Sequence, residues 1–505
     1  MRKISNHQIL EYIKNCKDIS EVLLKTSERL PKKIFINFKN KKITFSEFNN
    51  LVNCCCNFFL KKKLKKKNII SVKTKNSLEF LVLYFACIRF KLIINPIPSS
   101  VSEYEFLNKI KSLKSKIAFI DKSCENKKKS FFCIDRDFNG DFCNFLTNEF
   151  SSNFRSDSNF NNKDTAVLYY SSGTTDNPKI IEYSYFAMLE LQKSMARNHF
   201  TNQNTNHLCI LPFGHTSVLR YSIKQAVLLG STINICENFW NIKNDFWKLI
   251  KKHKINFVQL VPTLVLSILS LNYKKSKIKN LFFGCGSAFL SKTLQKKFEK
   301  KFNIKLFNYY GLSEIGASHF ENQKQRIEGS IGKPIDVYKL KIINSKKKIC
   351  KVNEIGELLV KSKCIFNGYY KNKDLTKKSF FKDYFKTGDM CFKDKEGYYY
   401  YVDRKKDLII KGGVNILPSE IDEAIMQYDK NILECSTIGQ KNDFYGEIIK
   451  SFIILKKNKN NFISKLRVNL IKKLGLLKCP DIIVQTKEFT KTPSGKIIKR
   501  LLHDK

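Results

Sequence analysis

Short apolar runs rich in β-branched residues alternate with segments of helical periodicity along most of this 505-residue chain. Residues 45–60, for example, carry apolar side chains at helical spacing, and a β-branched run follows at 69–72. Such alternation is typical of βα units, in which parallel strands form a sheet covered by helices. The sequence therefore predicts an α/β fold with largely parallel sheets, and the length allows two to four domains.

The pattern changes in the second half of the chain. From about Gly329, short strands and a turn at Asn367-Gly368 indicate a smaller β-rich subdomain. Beyond Arg404, strands and helices form a compact α+β unit of about one hundred residues. We therefore expect a large N-terminal domain of α/β subdomains with a β-rich subdomain, residues 1–403, and a small C-terminal α+β lid domain, residues 404–505.

Residues 121–163 break the alternation, because they are polar and rich in Asn and Ser. We expect a surface loop there, around one weak strand.

The chain is strongly basic, with 92 Lys and Arg against 45 Asp and Glu and a formal charge of +47. Its lysine runs, such as 61–63, 127–129 and 346–348, are scattered rather than gathered into one stripe. A nucleic-acid binder more often clusters its cations on one face with interleaved aromatics. We expect solvated lysine-rich faces and no specific nucleic-acid partner, and non-specific attraction to anions or membrane surfaces remains an alternative.

The 16 cysteines include no Cys-x-x-Cys pair, and Cys54, Cys55 and Cys56 are adjacent, which suits neither a disulfide framework nor a zinc site. Most lie in apolar runs, which indicates a reducing compartment. The N-terminus has no signal-peptide core, and no apolar stretch is long and uninterrupted enough to span a bilayer. We expect a cytoplasmic protein without a transmembrane segment.

A hydroxyl-rich segment follows directly on the predicted strand 166–170. It runs Ser171, Ser172, Gly173, Thr174, Thr175, Asp176, Asn177, Pro178, Lys179. Polyphosphate needs several donors, a backbone that can approach closely and a positive charge, and this segment supplies all three. The spacing is not that of a Walker A loop or of a dinucleotide-binding glycine motif. The segment predicts a phosphate loop, with a Ser/Thr-rich surface turn as the alternative.

Four further elements carry reactive groups. Residues 308–314 combine aromatics that can cover a base with Glu314, whose oxygens suit Mg²⁺. Asp389, in 386–389, can face ribose hydroxyls, although an ordinary Asx turn is equally consistent. The charged turn 401–407 precedes Gly412-Gly413, and Lys496 lies on a tight turn near the C-terminus.

Taken in order, these five elements resemble the adenylate-forming superfamily: acyl- and aryl-CoA ligases, adenylation domains of peptide synthetases, and firefly-type luciferases. Residues 43–48, 286–290, 329–334 and 356–358 are also similar to segments of that family. The resemblance covers nearly the whole chain, from about Ile43 to the C-terminus.

The resemblance implies a role for each matching residue. The phosphate loop comprises Ser171, Ser172, Gly173, Thr174, Thr175 and Lys179, and the adenine and AMP are framed by Ser287, Ala288, Tyr309, Tyr310, Gly311 and Ser313. Glu314 and Thr174 hold Mg²⁺, and Asp389 and Arg404 approach the ribose. Lys406 is the hinge between the domains, and Lys496 is the lid lysine that reaches the α-phosphate and the carboxylate. Gly413 lines the pantetheine tunnel, and His215 gates the acyl pocket, with a buried core histidine as its alternative.

The chain departs from the family pattern at Asp176, where a glycine is usual, and at Ser287 and Phe289. A carboxylate beside polyphosphate is repulsive unless it points away or pairs with a lysine.

The resemblance implies an ATP-dependent carboxylate–CoA ligase that forms acyl-AMP and then a thioester, using ATP, Mg²⁺, coenzyme A and a small carboxylic acid. One alternative is a stand-alone adenylating enzyme that loads the phosphopantetheine thiol of a carrier protein. Another alternative is a degenerate, non-catalytic member that binds nucleic acid or membrane. Asp176 and the charge of +47 support this alternative.

Overall fold

The computed structural model describes residues 4–121, 130–157, 159–171, 179–271, 280–321, 326–492 and 496–503. Within these ranges the strands form four sheets, most of which are covered by helices, and the predicted α/β class is confirmed. A search of the same ranges finds no helix with the length and apolarity that crossing a bilayer requires.

The first sheet has nine described strands. In spatial order they are Lys333–Pro334, Gly316–Phe320, Leu306–Leu312, Phe282–Cys285, Phe257–Leu260, Asn206–Cys209, Thr232–Ile235, Ile34–Phe38 and Lys41–Thr44. The six strands from Leu306–Leu312 to Ile34–Phe38 pair in parallel, and the strands outside them pair antiparallel.

The second sheet has seven described strands and is also mainly parallel. Their order is Gly368–Tyr369, Ile180–Ser184, Thr165–Tyr170, Ile93–Pro96, Ile69–Lys73, Ile117–Ile120 and Phe131–Cys133. The predicted largely parallel arrangement is therefore confirmed in both large sheets.

Two smaller sheets are antiparallel in most pairings. The third contains Lys339–Ile343, Gly356–Lys361, Tyr384–Lys393, Phe380–Phe381 and Tyr399–Arg404, and corresponds to the predicted β-rich subdomain. The fourth contains Val414–Ile416, Ile409–Lys411, Gly446–Leu455, Ile432–Asn442 and Ile482–Gln485. The fourth sheet and two helices enclose a separate apolar core, which gives the predicted small C-terminal α+β domain.

The α-helices of the described residues are Asn6–Tyr12, Ile19–Arg29, Phe45–Lys61, Leu78–Arg89, Glu103–Leu113, Ile134–Asp137, Phe142–Glu149, Tyr185–Asn198, Thr216–Val218, Lys224–Leu229, Phe239–Ile242, Phe246–Lys252, Pro262–Leu269, Lys292–Phe302, Lys373–Lys378, Pro418–Tyr428 and Phe462–Leu474. Short 3₁₀ segments are Lys243–Asp245, Lys405–Asp407 and Lys499–Leu502, and Leu219–Ile223 is a π-helix.

The expectation of a surface loop over residues 121–163 is wrong for part of that range. The weak strand exists, as Phe131–Cys133, but the helices Ile134–Asp137 and Phe142–Glu149 follow it. Phe142 and Leu146 are buried against the long helix Phe45–Lys61. Aromatic residues spaced through a polar segment supply this packing, and the Asn- and Ser-rich composition concealed it.

Most of the 308–314 motif lies in the strand Leu306–Leu312. The predicted turn at Asn367-Gly368 leads into the short strand Gly368–Tyr369, which joins the second sheet rather than the β-rich one.

Phe58 holds the helix Phe45–Lys61 to its neighbours. Its ring centroid lies within about 6.5 Å of those of Phe59, Phe119, Phe132, Phe138, Phe142, Phe145 and Phe150. We expect Phe58→Ala to lower the free energy of unfolding by about 3–5 kcal/mol, because it removes a fully buried aromatic and leaves a cavity.

Urea unfolding followed by circular dichroism measures this change. Tyr104→Ala is the matched control, because Tyr104 is 79% exposed and its loss should change stability by no more than about 0.5 kcal/mol. Equal effects of the two substitutions would contradict the packing described here.

Candidate active site

One cavity of about 1580 Å³ lies where the first, second, third and fourth sheets meet. Residues that follow the carboxyl ends of parallel strands line it, among them Ser171, His215, Pro262 and Ser287. In open α/β sheets ligands bind in this position, outside the carboxyl ends of the strands. The volume exceeds the roughly 300–1,000 Å³ of an ordinary small-molecule site, so a nucleotide and a second substrate fit together.

Ser171 and Lys179 face each other at the ends of two antiparallel strands of the second sheet. The Ser171 backbone N–H donates to the carbonyl of Lys179 at 2.8 Å, and the Lys179 N–H donates to the Ser171 hydroxyl at 3.1 Å. Both residues line the cavity. The other predicted phosphate-loop residues, Ser172, Gly173, Thr174 and Thr175, lie outside the described residues, as does Asp176.

Lys179 is connected to Glu314 through an aromatic ring. The Lys179 ammonium lies 5.0 Å from the ring centroid of Tyr369, and the Tyr369 hydroxyl donates to Glu314 Oε1 at 3.1 Å. The backbone N–H of Phe366 also donates to the Glu314 carbonyl at 2.9 Å, which fixes the turn after Leu306–Leu312. Lys179 and the Glu314 carboxylate are therefore held on one side of the cavity.

Asp389 lies at the centre of a buried network. It pairs in register with Arg404 on the neighbouring strand, and Arg404 Nε lies 2.7 Å from Asp389 Oδ1. The Tyr310 hydroxyl donates to Asp389 Oδ2 at 2.6 Å. Burial raises the pKa of Asp389, and its carboxylate raises the pKa of Arg404 against the opposing effect of desolvation. This network brings together three of the predicted nucleotide-site residues.

The predicted adenine loop follows strand Phe282–Cys285, and Ser287 and Ala288 both line the cavity. Ser287 has φ +69°, a conformation that favours glycine, so the departure from the family pattern occurs at a position with local backbone strain. Phe289, the other departure, lies with its ring 5.6 Å from that of Tyr401.

Tyr309 and Gly311 are fixed by their own packing. The Tyr309 hydroxyl shares a hydrogen bond of 2.7 Å with His199 Nε2, and its ring stacks on Tyr221 at 5.2 Å. A Cβ at Gly311 would lie 2.0 Å from the carbonyl oxygen of Gly316, so the close approach of two strands requires glycine there. Both residues and Ser313 line the cavity.

Lys496 belongs to the C-terminal domain and yet lies in this cavity. Its turn is closed by the Thr492 N–H donating to the Lys496 carbonyl at 2.8 Å and the Lys496 N–H donating to Thr492 Oγ1 at 3.1 Å. Desolvation lowers the pKa of Lys496 to about 8, helped by the charge of Arg404 and opposed by Asp389 and Glu314. The lysine is therefore surrounded by the residues predicted to bind the nucleotide.

His215 also lines the cavity, just before the helix Thr216–Val218. Its buried Nε2 has no hydrogen-bond partner among the described residues. Desolvation, with the nearby charge of Lys496, lowers the pKa of His215 to about 4, so the ring is neutral at physiological pH. Its role as a gate of the acyl pocket stays a prediction.

Lys406 also lines the cavity, in the 3₁₀ segment Lys405–Asp407 that connects the two domains. Gly413 does not line it, because it lies in an exposed turn with φ +79°. Of the described residues predicted for the site, the structure therefore brings all but Gly413 to one cavity.

Sequence reasoning missed several residues of the site. Tyr369 and His199 lie outside every recognised motif, and only their contacts with Glu314 and Tyr309 reveal them. Arg220 lines the cavity five residues after His215, and nothing in the sequence distinguishes it from the chain's other cations.

Two family descriptions match the chain. Residues 23–370 match the AMP-binding enzyme family, and residues 420–496 match the C-terminal domain of AMP-binding enzymes. The chain belongs to the AMP-binding enzyme family. The prediction of an adenylate-forming fold, and of an AMP-forming acid–thiol ligase, is confirmed at this level.

Similar members of the AMP-binding enzyme family include curated ligases and solved structures. The 2-succinylbenzoate–CoA ligase of Oceanobacillus iheyensis is 31% identical over 346 residues, which cover 67% of this chain and 69% of that one. The sulfoacetate–CoA ligase of Cupriavidus necator is 29% identical over 344 residues, 67% of each chain. ATP-bound MatB from Rhodopseudomonas palustris has a TM-score of 0.87 at 20% identity, covering 96% of this chain and 98% of that one.

The ion pair of Asp389 gives a prediction about stability. Asp389→Asn keeps the shape but leaves the largely enclosed Arg404 guanidinium without its carboxylate, so we expect a loss of about 3 kcal/mol in the free energy of unfolding. Tyr310→Phe removes one hydrogen bond to the same carboxylate and should cost about 1 kcal/mol.

Chemical unfolding of the two variants and of the wild type measures both changes. An Asp389→Asn protein within about 0.5 kcal/mol of wild type would show that the pair contributes little to the fold.

Proposed function

We propose that the chain joins a small carboxylic acid to coenzyme A in two steps, through an acyl-AMP. The observation that carries this proposal is that Lys496 of the C-terminal domain lies in one cavity with Asp389 and Glu314 of the N-terminal domain and with Arg404 at the boundary between the two. Cations and ribose-binding groups around one cavity suit a nucleoside triphosphate and a carboxylate better than any neutral ligand.

In the first step, a substrate carboxylate oxygen attacks the α-phosphorus of ATP. The bond between that phosphorus and the oxygen bridging to the β-phosphorus breaks, and pyrophosphate leaves with the electron pair. Lys496 binds oxygens of the α-phosphate and the carboxylate, and Ser171 and Lys179 begin and end the phosphate loop. Positioning and charge neutralisation supply the acceleration, because no covalent enzyme intermediate is needed.

The ribose and adenine positions follow from the same geometry. Asp389 is oriented by Tyr310 and Arg404 and accepts hydrogen bonds from the ribose hydroxyls. Ser287, Ala288 and the Tyr309–Tyr310 backbone frame the base.

Glu314 would hold Mg²⁺. The Tyr369 hydroxyl bonds to Oε1 alone, and a carboxylate oxygen suits a hard cation that takes its other ligands from phosphate and water. No three His, Cys, Asp or Glu side chains of the described residues are grouped as a metal site would require. When bound, Mg²⁺ neutralises phosphate charge. Thr174 completes the proposed ligand set.

In the second step, the thiolate sulfur of the acceptor attacks the acyl carbonyl carbon. The bond from that carbon to the phosphate oxygen breaks, AMP leaves, and the thiol proton goes to solvent. We propose that the C-terminal domain, residues 404–505, first turns about Lys406 relative to residues 1–403. The turn withdraws Lys496 and brings Gly413, now exposed, to line the passage for pantetheine.

The relatives named above are CoA ligases, which supports coenzyme A as the acceptor. A carrier-protein phosphopantetheine carries the same thiol and is the second acceptor to test.

The direct experiment measures pyrophosphate release from ATP and Mg²⁺ across short, medium, long and aromatic acids, followed by thioester formation with coenzyme A or a purified carrier protein. We expect release with one acid class and thioester with coenzyme A. Thioester formation with the carrier protein alone would identify the carrier protein, rather than coenzyme A, as the acceptor. The absence of release above the Lys496→Ala background with every acid would contradict a catalytic role.

The lowered pKa of Lys496 predicts a pH dependence. The ammonium is charged below pH 8 and loses its proton as the pH rises through about 8, so kcat/KM for ATP in adenylate formation should fall above that pH. Lys496→Arg keeps its charge at every pH measured, so its residual activity should show no such fall. Lys496→Ala should lose about 10²- to 10³-fold at pH 7.

Pyrophosphate release between pH 6 and 10 measures these profiles. A fall above pH 8 that persists in the arginine variant would assign the titration to another group.

The hinge predicts a separation of the two steps. Lys406→Pro restricts the backbone in the segment between the domains, so thioester formation should be blocked while adenylate formation is spared. Lys406→Ala is the control for the side chain and should leave the second step closer to wild type. Rapid-quench measurement of acyl-AMP and thioester separates the steps, and equal loss of both in Lys406→Pro would reject the hinge.

A further inference from the structure

Arg220 is a buried cation in the wall of the active-site cavity. It lies in the π-helix Leu219–Ile223, its exposed fraction is only 6%, and it lines the cavity together with His215 and Tyr221. π-Helical turns are rare and occur frequently at functional sites, because they redirect a side chain within a helix.

No carboxylate of the described residues forms an ion pair with Arg220. The charge of Arg220 acts electrostatically on several tyrosines around it. Burial raises the pKa of Tyr169 and of Tyr221 to about 12, and the charge of Arg220 acts against both rises. The buried hydroxyl of Tyr183, which feels the same charge, has no hydrogen-bond partner in the described part of the chain.

A second cation lies one helical turn further on. Lys224 is 4% exposed, and its hydrogen bond among the described residues goes to the sulfur of Met188 at 4.0 Å. Burial, followed by the charge of Arg220, lowers the pKa of Lys224 to about 7. Two neighbouring basic groups are thus enclosed without an acidic partner in the described ranges.

A buried guanidinium without an anion is strongly unfavourable, because desolvation is not repaid by pairing. A carboxylate or sulfonate bound from the cavity offsets that cost, since planar oxyanions match the donor fork of arginine. The same anion weakens the repulsion between Arg220 and Lys224.

The geometry fits one end of an acid whose other end reacts. Arg220 and His215 line the same cavity as Lys496, and its wall also carries apolar side chains, including Pro212, Val261 and Leu264. A short chain or ring in this cavity can therefore face Lys496 with one end and Arg220 with the other.

Resting on the proposed function, we propose that the acid substrate carries a second anionic group, a carboxylate or a sulfonate, which Arg220 binds while the first carboxylate is adenylated.

The test compares acids matched in size that differ in the second group: malonate with propionate, succinate with butyrate, phthalate with benzoate, and sulfoacetate with propionate. We expect the wild-type kcat/KM for pyrophosphate release to be at least about tenfold higher for the doubly charged member of the preferred pair. The carboxylate and sulfonate arms identify which oxyanion is preferred.

Arg220→Met keeps the length and removes the charge. It should lower kcat/KM for the preferred acid by about 10- to 100-fold, mainly through KM, and leave KM for ATP unchanged. Arg220→Lys should recover part of the loss. Arg197→Gln is the matched control, because it removes one positive charge at an exposed pair with Asp336 and should behave as wild type.

The outcomes separate this inference from the function on which it rests. Wild-type preference for the singly charged acids in every pair would overturn the second anionic group and leave the ligase intact. A rise in KM for ATP rather than for the acid in Arg220→Met would assign Arg220 to the triphosphate and also overturn it. If the methionine variant fails to fold, the wild-type pairs and Arg220→Lys still decide. If none of the acids supports pyrophosphate release, the ligase function itself is refuted, and the inference with it.

Discussion

The ion pair between Arg404 and Asp389 is the contact on which the site depends. It joins two strands of the third sheet, and the Tyr310 hydroxyl attaches the end of the first sheet to the same carboxylate. Arg404 is also the last residue before the segment that leads to the C-terminal domain. This charge pair therefore fixes the relative positions of the strands Leu306–Leu312, Tyr384–Lys393 and Tyr399–Arg404.

The same pair sets the electrostatics of Lys496. Lys496 loses hydration in the cavity, and Arg404 repels it while Asp389 and Glu314 attract it. Its ammonium is less stable there than in water until an anion arrives, because desolvation disfavours the charged form. Under the proposed function, phosphate and carboxylate oxygens stabilise the charged ammonium, so the cavity would favour the anionic substrates of the first step.

Part of the site could be predicted from the chain, because Ser171 and Ser287 follow strands whose apolar pattern the sequence shows. Parallel strands of one sheet bring their carboxyl ends to one edge, so Ser287 and Glu314, which follow neighbouring strands of the first sheet, converge. Ser171 follows a strand of the second sheet, and the sequence alone does not place it beside them. The resemblance to a known family then added Asp389, Arg404 and Lys496, which no local pattern would have joined.

The remaining parts of the fold and of the site depend on contacts that hydrophobic periodicity does not predict. Tyr369 reaches Glu314 because a two-residue strand pairs with Ile180–Ser184, and a turn signal alone gives no such partner. The helix Phe142–Glu149 lies in an Asn-rich segment and is held by aromatic packing on Phe58. Arg220 resembled any other cation in a chain of net charge +47, and only burial distinguishes it.

Proton uptake on nucleotide binding tests the central claim, which is that Lys496 is desolvated in the cavity and binds the phosphates of ATP in its charged form. Calorimetric titration of MgATP at pH 8 in buffers of different ionisation enthalpy gives the number of protons taken up. Since the pKa of Lys496 is about 8 without ligand, the account predicts an uptake of about half a proton per ATP bound by wild type, and none by Lys496→Arg. Equal uptake by both proteins, or none by wild type, would contradict it.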